Sequence, residues 1–152
     1  MPFARISKVR GWQDFGFRIK EGTNETTWDD EHGILTFRYT EPMTWWMSMP
    51  EGMPRTLENA LAKARRLASE KSDPRARAFL TSGFHDENGD FAARLRDTPW
   101  CDGAVWSINS MPNIKGDITD FKNKWNPAQR EKLYGPNAKG CLDGEYIDSS
   151  EG

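Results

Sequence analysis

The sequence has no apolar run long enough to span a membrane, and its opening residues, Met1-Pro2-Phe3-Ala4-Arg5, lack the apolar stretch of a signal peptide. The expectation is a cytoplasmic product with no membrane span. Cysteine is scarce: Cys101 and Cys141 stand forty positions apart with no Cys-x-x-Cys spacing. That indicates neither a zinc site nor a disulfide framework, and leaves a single bridge between the two as an open alternative. Charge of one sign is not in excess. With a net charge of −2 and no polybasic run, nucleic acid is not an expected partner, because tracking it requires phosphate neutralisation. No Gly-rich loop precedes Lys-Ser or Lys-Thr, no serine sits in Gly-x-Ser-x-Gly, and no fixed-period repeat occurs. Neither a cofactor nor a metal is called for.

What is present is aromatic. Seven Trp and eight Phe among 152 residues, against a hydrophobic fraction of only 36%, imply an aromatic-heavy core set in polar loops. The length suits one domain, 1–152, burying roughly two thirds of its unfolded surface. Residues 1–33 read as an irregular segment with a short edge strand within Gly11 to Lys20 and an acidic turn at Thr27 to Gly33. Residues 34–152 read as strand and helix units. A strand runs from Ile34 to Glu41 and is halted by Pro42.

The proline-bounded cluster Met43 to Pro50 reads as a core plug or packing ledge, or else as a platform on which a sugar ring stacks against Trp45 and Trp46. Thr56 opens a capped helix whose apolar stripe is Leu57, Ala60, Leu61, Ala64, Leu67 and Ala68, ended by Asp73-Pro74. Ala78 to Phe84 reads as a second strand. Asn88-Gly89 then signals a two-residue type I′ hairpin into Phe91 to Leu95, which outweighs a calcium-loop reading of Asp86-x-Asn88-x-Asp90 because the glycine at the sixth position is missing. Gly103 to Asn109 is a third buried strand, 113–124 a charged loop anchored by Phe121 and Trp125, and Asn126-Pro127 opens a helix that Gly135-Pro136 ends. The chain closes on a strand at Tyr146-Ile147. This order implies an α/β fold: an open, mostly parallel sheet with two main helices and an inserted β-hairpin.

The closing Asp143-Gly144-Glu145-Tyr146-Ile147-Asp148-Ser149 resembles the strand end D-G-x-Y-x-D-S of glycoside-hydrolase-like (β/α)8 barrels. The blocks Arg38 to Pro42, Trp45 to Pro50 and Thr98 to Cys101 are similar to uncharacterised bacterial proteins of that kind. Such a barrel takes about 250 residues and eight strands, so the resemblance implies a partial barrel, a fragment of a larger one or half of a dimer. Exposed sheet edges would then favour self-association.

The activity implied is action on a glycan through two carboxyl groups at strand ends. Asp148, at the tip of the closing strand, is the expected nucleophile or stabilising base and Glu41 the proton donor, with Glu145 and Glu151 in reserve. Alternation puts Gly144, Tyr146 and Asp148 on one face and Glu145 on the other. Trp45, Trp46, Tyr146, Asn109 and His85 are the expected carbohydrate or small-molecule contacts. Two alternatives stay open: a non-catalytic, surface-active carbohydrate-binding module, and a serine esterase using Ser149 or Ser150. The hydrolase expectation requires the strands ending at Glu41 and Asp148 to lie side by side.

Overall fold

The branched and polar residues from Ile34 onwards do form a strand, and it is the middle strand of a parallel sheet. A computed structural model describes residues 16–99, 101–138, 140 and 142–148. Its elements, in chain order, are β1 (Ile19–Glu21), α1 (Thr26–Glu31), β2 (Leu35–Thr40), β3 (Thr44–Ser48), α2 (Leu57–Glu70), α3 (Pro74–Ser82), β4 (Ala93–Thr98), β5 (Cys101–Ser107), α4 (Asp120–Lys124), α5 (Pro127–Tyr134) and β6 (Gly144–Ile147). The fold is mixed α/β. It has one parallel sheet, β1-β2-β6, and one antiparallel sheet, β3-β5-β4, with no closed barrel among the described residues. The described residues fall into two compact units, one within Met1–Thr40 and Pro127–Asp148, the other within Glu41–Asn126 and Ser149–Gly152.

In the first unit β2 pairs with both neighbours in parallel. Ile19 lies opposite Leu35, Arg38 opposite Glu145, and Tyr39 opposite Tyr146. Parallel neighbours need a crossover, and α1 supplies the one from β1 to β2. The acidic turn expected at Thr27 to Gly33 is therefore mostly helix. Trp28 stacks on His32 one turn later, with ring centroids 3.9 Å apart, and Gly33 leaves the helix at φ 65. Six residues are too few to show a helical period.

Asp29 explains why α1 sits where it does. Its side chain is buried, accepts a hydrogen bond from Thr36 Oγ1 at 3.0 Å and pairs with Lys20, so one carboxylate ties α1 to both β1 and β2. On the other side of β2, Asp143 grips Thr36 twice: its carboxylate accepts from the Thr36 amide at 2.7 Å and its own amide donates to the Thr36 carbonyl at 2.8 Å.

The second unit holds the aromatic core. Alternation along β3 sends Trp45 and Met47 inward, followed by Met49 beyond the strand, against Ala104, Trp106 and Ile108 from β5 and its exit. The predicted stripe of α2 packs there through Ala60 and Ala64, capped at Thr56 as expected. Alanine lets the helix come close while Trp and Phe fill the space between. Phe79 is the hub, 4.4 Å from the Trp106 ring, 4.5 Å from Phe91 and 5.7 Å from Trp45.

Phe79 also marks a correction. Ala78 to Phe84, expected as a strand, lies mostly within α3, because Asp73 does more than end α2. Its carboxylate accepts from the amides of Arg75 at 2.8 Å and Ala76 at 3.3 Å, and Pro74 fits the first helical turn. The extended stretch begins only at Gly83, where an added Cβ would lie 2.7 Å from the Phe79 carbonyl.

The hairpin also differs from the type I′ expectation. Gly89 alone carries a positive φ, of 84, and the loop is three residues long, closed by Gly89 N to Asp86 O at 3.1 Å and Asp86 N to Asp90 O at 2.8 Å. Asp86 Oδ1 accepts from the amides of Asn88 and Asp90, so the aspartate, not Asn-Gly, shapes the turn. Within 113–124, expected as loop, Thr119 caps the short helix α4.

Two substitutions test these contacts. Gly103→Ala places a Cβ 2.0 Å from the Met47 carbonyl oxygen and 2.8 Å from the Met49 amide nitrogen, so denaturant unfolding should show a loss of about 3 kcal/mol or more. Asp73→Ala should cost about 1 kcal/mol at neutral pH. Partial burial pushes the Asp73 carboxyl up, but the Arg75 and Ala76 amides and the Arg75 guanidinium more than reverse this and hold it below its ordinary value. A lowered folded value means the contribution is present above the usual carboxylate range and lost on acidification. The gap between wild type and variant should therefore narrow as pH falls through that lowered value.

Candidate functional site

Strand pairing continues one residue past β6, since the Asp148 amide donates to the Thr40 carbonyl at 2.9 Å. Alternation then sets Gly144, Tyr146 and Asp148 on the face that β2 furnishes with Phe37 and Tyr39. Gly144 leaves room for Phe37, since a Cβ there would sit 3.1 Å from its ring. Tyr39 and Tyr146 stack with centroids 6.0 Å apart and planes inclined 30°, and Tyr39 OH donates to Asp148 Oδ2 at 2.8 Å. Both rings remain open to solvent, at 40% and 48% exposure. The result is an aromatic pair with a carboxylate at its edge, at the carboxyl end of two parallel strands.

Glu145 points the other way. Its Oε2 accepts from Arg38 Nε at 2.8 Å and its Oε1 from the Tyr134 hydroxyl, so it joins β6, β2 and α5. Burial first, and then the Glu145 carboxylate, push the Tyr134 phenol up to about 12. Arg38 pairs with Glu145.

The other predicted residues lie in the second unit. Glu41 directly follows β2, and its main-chain carbonyl accepts from Lys124 Nζ. Trp45 is only 5% exposed and packs on Phe79, so it serves the core and offers no open ring face to a sugar. Trp46, 41% exposed, projects from the opposite face of β3, in the row Trp46-Val105-Arg94. His85 rests on Phe91 with centroids 4.3 Å apart, before the turn. Asn109 Oδ1 accepts from the Met111 amide at 3.0 Å, which holds the exit of β5 in a turn. Ser149, Ser150, Glu151 and Cys141 lie outside the described residues. Cys101 is buried, and burial pushes its thiol up. Among the described residues no group of His, Cys, Asp and Glu is placed to hold a metal.

The residue that sequence reasoning left without a role is Tyr39. The signal was there in the register: once residues 39 and 146 are opposite, alternation gives Tyr39 and Asp148 the same face.

Tyr134 makes the Glu145 knot testable. Its folded value, about 12 against an ordinary 10.0, means its contribution is whole below pH 10 and lost as pH rises towards 12. Over that interval the denaturation midpoint of the wild type should fall more steeply than that of Tyr134→Phe, with unfolding followed by circular dichroism. Against family models, curated proteins and solved structures, the chain gives no match.

Proposed function

We propose that the protein recognises a glycan on the face formed by Tyr39, Tyr146 and Asp148. The observation that carries this is the 2.8 Å hydrogen bond from Tyr39 to Asp148 beside two stacked, solvent-open phenol rings. A pyranose presents an apolar C–H face and a rim of hydroxyls. Aromatic rings take the first, and a carboxylate held in place accepts from the second. Exposed rings of this kind otherwise cost solubility, and contiguous exposed apolar surface usually marks a contact.

Hydrolysis is a second reading, favoured by the position of Asp148 at the carboxyl end of β6, where barrel enzymes carry their reacting groups. In that reading the parallel strands β1-β2-β6, with α1 between the first two, are an arc of a (β/α) barrel of the glycoside-hydrolase-like kind. Asp148 is then the nucleophile or ion-stabilising base, and Tyr39 is a positioning residue that orients it. The reaction needs a second carboxyl about 5 to 5.5 Å away for retention, or about 6.5 to 9.5 Å for inversion. Glu145 does not supply it, because Arg38 and Tyr134 hold it on the opposite face.

Calorimetric titration of the full chain with a panel of soluble oligosaccharides tests the proposal. Saturable binding should weaken at least tenfold in Tyr146→Ala and in Asp148→Asn. Reducing-sugar release that Asp148→Asn abolishes would establish hydrolysis, whereas binding without release would establish recognition alone. No binding to any glycan at millimolar concentration, or binding indifferent to both substitutions, would overturn the reading.

A further inference from the structure

The outer face of the antiparallel sheet carries a cleft of about 570 Å³, within the usual size range of small-molecule sites. Two adjacent rows of the sheet help to line it. In one, Thr44 lies opposite Ser107, whose amide donates to the Ala92 carbonyl at 3.1 Å; in the next, Arg94 lies opposite Val105. Met43 and Phe84 add apolar walls, and Phe84 is held there by its amide, which donates to the Ser107 carbonyl at 3.0 Å.

The polar groups of this cleft are incomplete. Thr44 Oγ1 is buried with no hydrogen-bond partner, a costly arrangement unless a partner is supplied. Arg94 is exposed and, among the described residues, makes no ion pair, and it is the one charged residue among the described lining. A guanidinium binds a planar carboxylate through two parallel hydrogen bonds, and hydroxyls such as those of Thr44 and Ser107 can donate to the same group. Among the described lining residues no second cation joins Arg94, and one guanidinium matches one negative charge better than the two of a phosphate monoester.

We propose that this cleft binds a small monocarboxylate with an apolar body, its carboxylate on Arg94 and the Thr44 and Ser107 hydroxyls and its hydrocarbon between Met43, Phe84 and Ala92. The tyrosine face belongs to the other unit.

Octanoate is the probe, and octanol, with the same body and no charge, is the control. Titration of the full chain, followed by tryptophan fluorescence and calorimetry, should give saturable octanoate binding at least tenfold tighter than octanol. Arg94→Gln should remove that preference, lowering octanoate affinity at least tenfold while leaving octanol binding and the far-ultraviolet circular dichroism spectrum unchanged. Ala92→Leu, which fills the cleft, should weaken both ligands. Equal affinity for octanoate and octanol, octanoate binding unchanged in Arg94→Gln, or no binding at millimolar concentration would each overturn the proposal.

Discussion

The first unit depends on the parallel pairing of β2 with β6, made by residues more than a hundred positions apart. Arg38 reaches Glu145 and Thr36 reaches Asp143, each across 107 residues. Closing so long a loop carries an entropic cost that grows only slowly with length, but local contacts do nothing to offset it. The offset comes from a dense set of polar contacts on a four-residue strand: the double grip of Asp143 on Thr36, the Arg38-Glu145-Tyr134 chain and the ladder itself. Without that pairing Tyr39 and Asp148 would belong to distant segments.

Polar groups thus do in the first unit what aromatic packing does in the second. Asp29, 1% exposed, takes Lys20 and Thr36 as partners, and a buried carboxylate so engaged specifies one placement of α1 rather than several. The core beneath the antiparallel sheet is aromatic instead, with Phe79, Trp106 and Trp45 packed among Ala60, Ala64 and Ala76 of the helices. The two candidate sites follow the same division: paired phenols with a carboxylate on one sheet, and an arginine with unpaired hydroxyl chemistry above an apolar floor on the other.

Where a local rule decided the outcome, the sequence was readable. Thr56 caps α2 and its alanine stripe faces the core; Asn126-Pro127 opens α5; β5 follows its apolar pattern. Reading failed where two local rules competed. Asp73-Pro74 ends one helix and begins another, and only the cap bonds to Arg75 and Ala76 show that the second function turns residues expected as strand into α3. At Asn88-Gly89 the dipeptide suggested one turn, and the Asp86 carboxylate, with two amides to accept from, imposed another.

By itself the sequence determined the elements whose period, caps and breakers agree, the face that each strand residue takes, and hence that Asp148 and Glu145 point apart. Those are local properties, set by backbone geometry and nearest neighbours. Only the tertiary structure decided that β2 and β6 are partners in the register that brings Tyr39 to Asp148, that Arg38 answers Glu145, and that the antiparallel strands form a sheet of their own. Register between strands a hundred residues apart is chosen by the sum of their side-chain contacts after the chain has closed, and no local pattern encodes that sum.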